Sequence, residues 1–161
     1  MSAKNCNLLC WNVRGLNDET KCASVRNQVL STGATIVCLQ ETKVSTWTRS
    51  LLVETIGAEL ANNVAFLPSV GASGGILIAA SERFFNISQP HLTARTVSAT
   101  ITMLAENKTW TITSVYGPQS DTDKFLFLQE IGFAHTLPTS LIVAGRLQLN
   151  PKCAREKQRT S

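Results

Sequence analysis

Asn7-Leu8-Leu9-Cys10-Trp11-Asn12-Val13-Arg14-Gly15-Leu16-Asn17 decides how the rest of the chain is read. From Asn7 to Val13 the stretch is rich in apolar residues and alternates, as a strand does. Leu8 and Cys10 share one face with Asn12, and Leu9, Trp11 and Val13 take the other. Arg14 to Asn17 is a turn, with Gly15 supplying the permissive backbone. A helix follows from about Asp18 to Thr32, because Cys22, Val25 and Val29 recur at helical spacing, and Gly33 is its stop. Thr35 to Gln40 is then a short, β-branched, buried strand, and Glu41 lies just past its C-terminal end. Two strands separated by a helix thus each end near a polar residue, Asn12 and Glu41.

Working outward, Ser45 can cap a second helix carrying Leu51, Leu52, Ile56 and Leu60. Strands are expected at Val64 to Leu67, Gly75 to Ala80, Phe84 to Ser88 and Thr96 to Leu104, with a loop from Pro68 to Gly74. Glu106-Asn107-Lys108 is a turn, and Thr109 to Val115 runs back as a hairpin partner. Tyr116-Gly117-Pro118 breaks that strand. A third helix is expected from about Asp121 to Phe133, and Leu141 to Ala144 is a last buried strand. This order is neither doubly wound nor all-β; it suits an α+β fold of mixed sheets covered by helices. An apolar strand with no covering element after it expects a neighbour, so the fold reads as C-terminally incomplete.

The length of 161 residues implies one domain with one core, and 43% hydrophobic residues fit a globular chain. The net charge of +4 is not a basic patch: Lys152, Arg155, Lys157 and Arg159 against Glu156 place three of those charges in the last ten residues. The body is therefore nearly neutral, while the tail can add weak, salt-sensitive affinity for phosphates. The five cysteines, Cys6, Cys10, Cys22, Cys38 and Cys153, include no C-x-x-C pair. A disulfide framework or a zinc site is not expected, and Cys10 and Cys38 read as small core residues. With no apolar signal region and no stretch long enough to span a bilayer, the chain is expected to be intracellular, in nucleus or cytoplasm.

Three segments read together add chemistry: Cys10 to Asn17, Val37-Cys38-Leu39-Gln40-Glu41-Thr42-Lys43, and Ser114-Val115-Tyr116-Gly117-Pro118, with Ser73-Gly74-Gly75-Ile76 between them. In this order and at these separations, over about residues 7 to 145, the chain resembles the endonuclease domain of plant LINE-type retrotransposons, a branch of the endonuclease/exonuclease/phosphatase superfamily. The resemblance implies a deoxyribonuclease-like, four-layer α/β/β/α arrangement: a two-layer mixed β-sandwich flanked by helices, with the active site at the strand ends. It implies a Mg²⁺-dependent phosphodiesterase acting on nucleic acid, DNA above all, with no small-molecule cofactor. Asn12 matches an asparagine that helps hold phosphate and metal, Glu41 the metal-binding glutamate, and Tyr116 the tyrosine that supports the scissile phosphate. The chemistry suits these types. Mg²⁺ takes carboxylate oxygens and keeps several waters, and an amide and a phenol donate to phosphoryl oxygens. Taken alone, each also has an ordinary reading: Asn12 as a strand end, Glu41 as a solvated residue or cap, Tyr116 as an amphipathic strand terminus.

The pattern breaks after residue 145. Where the family has Gly-Asp-Phe-Asn, this chain reads Gly145-Arg146-Leu147-Gln148, and the family's later Asp-His pair has no counterpart. Arg146 cannot take a proton from water, because a guanidinium has no free lone pair. Neither His91 nor His135 matches the family's catalytic histidine. The expectation is a partial domain over 1–145 and a divergent basic tail over 146–161, catalytically impaired. The alternative is a non-catalytic remnant that binds nucleic acid or a protein.

Gly71-Ala72-Ser73-Gly74-Gly75 formally matches G-x-S-x-G, with Asp121 or Asp123 and His135 following in the chain order of serine hydrolases. That motif needs a strand-turn-helix context, and the apolar run from Ile76 reads as a strand. The same loop lacks the lysine and helix start of a phosphate-binding P-loop.

Overall fold

The computed structural model describes residues 6–117, 129 and 141–146. Its elements in chain order are β1 (Leu8–Asn12), α1 (Glu19–Thr32), β2 (Ile36–Gln40), α2 (Arg49–Ile56), β3 (Val64–Val70), β4 (Ser73–Ala80), β5 (Phe85–Leu92), β6 (Thr96–Met103), β7 (Lys108–Tyr116) and β8 (Leu141–Arg146). They form two four-stranded sheets. The first has the order β1-β2-β4-β3, with β1 parallel to β2 and the other pairs antiparallel; the second has the order β5-β6-β7-β8, with β8 parallel to β7.

The strand-helix-strand start follows from local chemistry. The Asp18 side chain accepts from the Lys21 amide at 2.8 Å and caps α1, and Gly33 ends it in the left-handed conformation, its amide donating back to the last turn. The second helix begins later than the sequence suggests. Thr48, not Ser45, is its cap, accepting from the Leu51 amide at 3.1 Å, and Gly57 closes it before Leu60.

Two cores, where the length suggested at most one, separate the layers, because the first sheet is covered on both faces. On one side of the first sheet, Val37, Leu39, Leu77 and Ala79 pack against Cys22, Val25 and Val29 of α1 and Leu52 and Ile56 of α2. On the other side, Ile36, Cys38, Ile76, Ile78 and Ala80 meet Val97, Ala99, Ile101 and Ile112 of the second sheet. β2 and β4 are covered on both faces, which is why their sequences run apolar without alternating. Each fully buried Ile or Leu there stabilises the fold by about 1.5–3 kcal/mol. Helices, first sheet and second sheet make three layers; the expected third helix, and with it a fourth layer, lies outside the described residues apart from Gln129.

Several expectations shift in detail. β1 is an edge strand among the described residues, leaving Leu8 41% and Trp11 36% exposed. Cys10, expected in the core, is exposed, whereas Cys38 on central β2 is buried. β3 extends through Pro68 to Val70, so the expected long loop shrinks to a tight turn at Gly71-Ala72. β5 continues past an irregularity between Ser88 and His91, where Gln89 takes a φ of 50°, so His91 lies on a strand, not in a connection. No helix among the described residues is long and apolar enough to cross a membrane.

This layering makes a direct stability contrast. Ile78→Ala, at the centre of the inter-sheet core, should cost about 2–5 kcal/mol, and Leu8→Ala on the edge strand no more than about 0.5 kcal/mol. Urea unfolding midpoints read both, and similar losses at the two sites would contradict the assignment of β1 to an edge.

Candidate active site

Asn12 ends β1, and its register partner on β2 is Gln40, the residue before Glu41. The two carboxy-terminal strand ends therefore lie side by side because β1 and β2 run parallel. Asn12 is half-buried, and its Oδ1 accepts from the Arg14 amide at 3.2 Å. That turn leaves the Asn12 Nδ2 group to donate outward.

Glu41 sits in an extended backbone braid. Past the ends of β1 and β2, the amides of Val13, Gly15 and Leu16 donate to the carbonyls of Gln40, Glu41 and Thr42 at 3.0, 2.7 and 2.9 Å. On the other flank, the amides of Thr42 and Lys43 donate to the carbonyls of Gly75 and Gly74 at 3.1 and 2.9 Å. Glu41 and Lys43 hold left-handed φ values of 55° and 56°. For residues with a Cβ that conformation costs roughly 1–2 kcal/mol each, and the hydrogen bonds on both flanks offset it. Gly75, at φ +90°, makes the close approach possible, since a Cβ there would run into Thr42 Oγ1 and the Lys43 amide. The glycine-rich stretch thus serves to seat the Glu41 turn. Ser73 opens a strand rather than a helix, and its Oγ lies 3.4 Å from the Val70 carbonyl, so Gly71 to Gly75 has no nucleophile-elbow geometry.

Tyr116 ends β7 in the second sheet, and the two sheets are tied beside it. Gln40 Nε2 donates to Ser114 Oγ at 2.9 Å, linking β2 to the strand of Tyr116 two residues away. Ser114 and Tyr116 face the same side of β7. The Tyr116 amide donates to the Arg95 carbonyl at 3.0 Å, so the β5–β6 turn reaches the same end. That turn is fixed by Thr93 and Thr96, whose hydroxyls lie 2.8 Å apart. Burial raises the Tyr116 phenol above its usual range, the Glu41 carboxylate raises it further, and Arg95 opposes both. Asn12, Glu41 and Tyr116 are thereby brought to one end of the sandwich, with the Glu41 charge felt at the phenol.

A cleft of about 190 Å³ opens beside Tyr116 between the β3–β4 turn and the β5–β6 turn, lined by Pro68, Gly74, Gly75, Arg95 and Tyr116 among others. Arg146, at the end of β8, lies in register with Tyr116. His91 is exposed on β5, separated from Tyr116's strand by β6. Gln148, His135 and the basic tail lie outside the described residues.

No group of three or more His, Cys, Asp or Glu side chains gathers among the described residues. Glu41, one residue past the register partner of Asn12, is a one-carboxylate site. That set fits Mg²⁺ as the ion is used with phosphate substrates, where one or two carboxylates suffice and water and phosphate complete the shell. Three residues of this end were not singled out in the sequence. Gln40 and Ser114 could have been found as polar residues inside apolar strands; Arg95 carries no local signal.

No protein-family model matches the chain, and no curated protein does. Solved structures do match. The human Nocturnin catalytic domain with bound sulfate aligns with a TM-score of 0.65 and 15% identity, over 97% of this chain and 69% of that one. Humanized D. rerio TDP2, carrying 14 mutations, gives 0.67 and 14%, over 94% and 70%. The endonuclease domain of TRAS1, a telomere-specific non-LTR retrotransposon, gives 0.60 and 17%, over 90% and 61%. At these identities the likeness concerns the fold, and the chain has the fold of the endonuclease/exonuclease/phosphatase superfamily.

The phenol gives a direct test, because Tyr116 is the chain's one tyrosine. Its folded value is raised, so its contribution to stability is complete below the unfolded value of about 10 and is lost as pH climbs through the folded value. Glu41→Gln should move phenolate formation, followed by ultraviolet absorbance, to lower pH. An unchanged titration would separate Glu41 from Tyr116.

Proposed function

We propose that this chain is an endonuclease-type phosphodiesterase domain that holds a nucleic-acid phosphate and Mg²⁺ at the Asn12–Glu41–Tyr116 end and is impaired in hydrolysis. The observation that carries the reading is the convergence of one carboxylate, one amide and one proton-bearing phenol at neighbouring strand ends, with Arg146 in register beside them. The TRAS1 endonuclease domain and a D. rerio TDP2 complexed with single-strand DNA product share the fold and support nucleic acid as the ligand.

Each residue has a task. The Asn12 Nδ2 group donates to a phosphoryl oxygen, its Oδ1 being held by the Arg14 amide. The Tyr116 phenol keeps its proton over a widened pH range and donates to the same phosphate. Glu41, with Asn12, would hold Mg²⁺, which neutralises charge on the phosphoryl oxygens when bound. Arg14 and Lys43 lie close to Glu41 in the chain and Arg95 acts on the Tyr116 phenol, and positive charge at this end suits a polyanion. Among the described residues the set lacks a group to take a proton from the attacking water. At position 146 the guanidinium cannot do so, and such a group contributes typically about 10²–10⁴-fold. The reading places the protein inside the cell, where such a ligand is found.

Nicking of supercoiled plasmid in Mg²⁺, together with oligonucleotide binding by fluorescence anisotropy, tests this reading. The expected result is salt-sensitive binding that weakens in Glu41→Ala, with nicking at background. Arg146→Asp combined with Gln148→Asn should then raise nicking roughly 10²-fold, in a manner that Glu41→Ala abolishes. Nicking by the unaltered chain that Glu41→Ala removes would establish a working enzyme instead. Absence of binding at low salt would rule out nucleic acid as the ligand.

A further inference from the structure

Gln40 is almost fully buried between the sheets, at a position where its neighbours on the same face, Ile36, Cys38, Ile76 and Ile78, are apolar or nearly so. A leucine would fill that space without a polar group to satisfy. The amide is instead fully engaged: Nε2 donates to Ser114 Oγ at 2.9 Å and lies 3.4 Å from the Cys38 carbonyl and 3.3 Å from Cys10 Sγ, while Oε1 accepts from Cys10 Sγ at 3.7 Å. A buried polar group with every partner in place specifies geometry where apolar packing alone does not. The packing of Ile76 and Ile78 against Val97 and Ile112 holds the sheets together but lacks direction, so it leaves their relative slide weakly set.

The place of this bond is what gives it a role. Gln40 precedes Glu41 and is in register with Asn12; Ser114 is two residues from Tyr116 on the same face. The two halves of the site stand on different sheets, and the Gln40–Ser114 bond joins those sheets one residue from one half and two from the other. We propose that Gln40 is a positioning residue: bonded to Ser114, it sets the gap between the Glu41 carboxylate and the Tyr116 phenol in which a phosphate is held. The gap itself is a statement about geometry, and its use for phosphate rests on the function proposed above.

A double-mutant cycle separates positioning from plain stabilisation. Phenol titration is compared in the unaltered chain, Glu41→Gln, Ser114→Ala and the double variant, with unfolding midpoints recorded in parallel. The expected result is that the titration shift caused by Glu41→Gln shrinks about twofold or more in the Ser114→Ala background, as a longer carboxylate–phenol separation requires. Gln40→Leu, which fills the same space without the amide, should shrink it likewise, and Ser114→Thr, which keeps the hydroxyl, should restore it. Undiminished Glu41→Gln shifts in both Ser114→Ala and Gln40→Leu would overturn the proposal, whatever happens to stability. Loss of nucleic-acid binding by the unaltered chain would sink the functional reading and leave the measured coupling standing, so the two failures are distinct.

Discussion

Beyond the ends of β1 and β2 their two backbones run on beside the first residues of β4, and the middle one carries Glu41. Its amides and carbonyls are engaged on both flanks, by Val13 to Leu16 on one side and by Gly74 and Gly75 on the other. Without that grip the left-handed conformations at Glu41 and Lys43 would relax, and the carboxylate would leave the end of the sheet. Gly75 is the condition for the grip, because any side chain there would push the Thr42–Lys43 segment away. A short turn of the kind usually left to solvent is thus held by backbone hydrogen bonds on both flanks.

The second sheet meets this turn through few but directed contacts. Gln40 crosses to Ser114, and the Arg95 turn is bonded to the Tyr116 backbone. The electrostatics then follow from placement. The phenol is half-buried and next to a carboxylate, both of which favour its neutral, donating form, and Arg95 tempers the effect. A cation and a phosphate that enter together change the net charge of such a site little, each balancing the other.

Much of this was legible in the sequence, for reasons tied to particular residues. The strand-helix-strand start shows because Asp18 and Gly33 are strong cap types and Cys22, Val25 and Val29 keep helical spacing. The central strands show because Ile36 to Leu39 and Ile76 to Ala80 are buried on both faces. Legibility fails where neighbours decide the outcome. Cys10 and Cys38 sit in similar apolar runs, yet only Cys38 is buried, because β2 is central and β1 lies at an edge among the described residues. Thr48, not Ser45, is the cap of α2, and the chain before it is tied to β3 by the Ser69 amide, which donates to the Val44 carbonyl at 2.9 Å. Asn12, Glu41 and Tyr116 were singled out by the family resemblance of three segments; alone, each reads as an ordinary strand end or solvated residue. Gln40 and Ser114 show in the sequence only as polar residues inside apolar strands; their pairing across 74 residues, like the place of Arg95, is reported by no local pattern.

The central claim is that Asn12, Glu41 and Tyr116 share one cation-and-phosphate pocket. Paramagnetic broadening by Mn²⁺, a stand-in for Mg²⁺, tests it most directly in the NMR spectrum of the full chain. The account predicts that substoichiometric Mn²⁺ broadens the Asn12 side-chain amide and the Tyr116 ring together, and that Glu41→Ala abolishes both effects. Broadening near Glu41 that leaves the Tyr116 ring sharp, or broadening of both that survives Glu41→Ala, would contradict it.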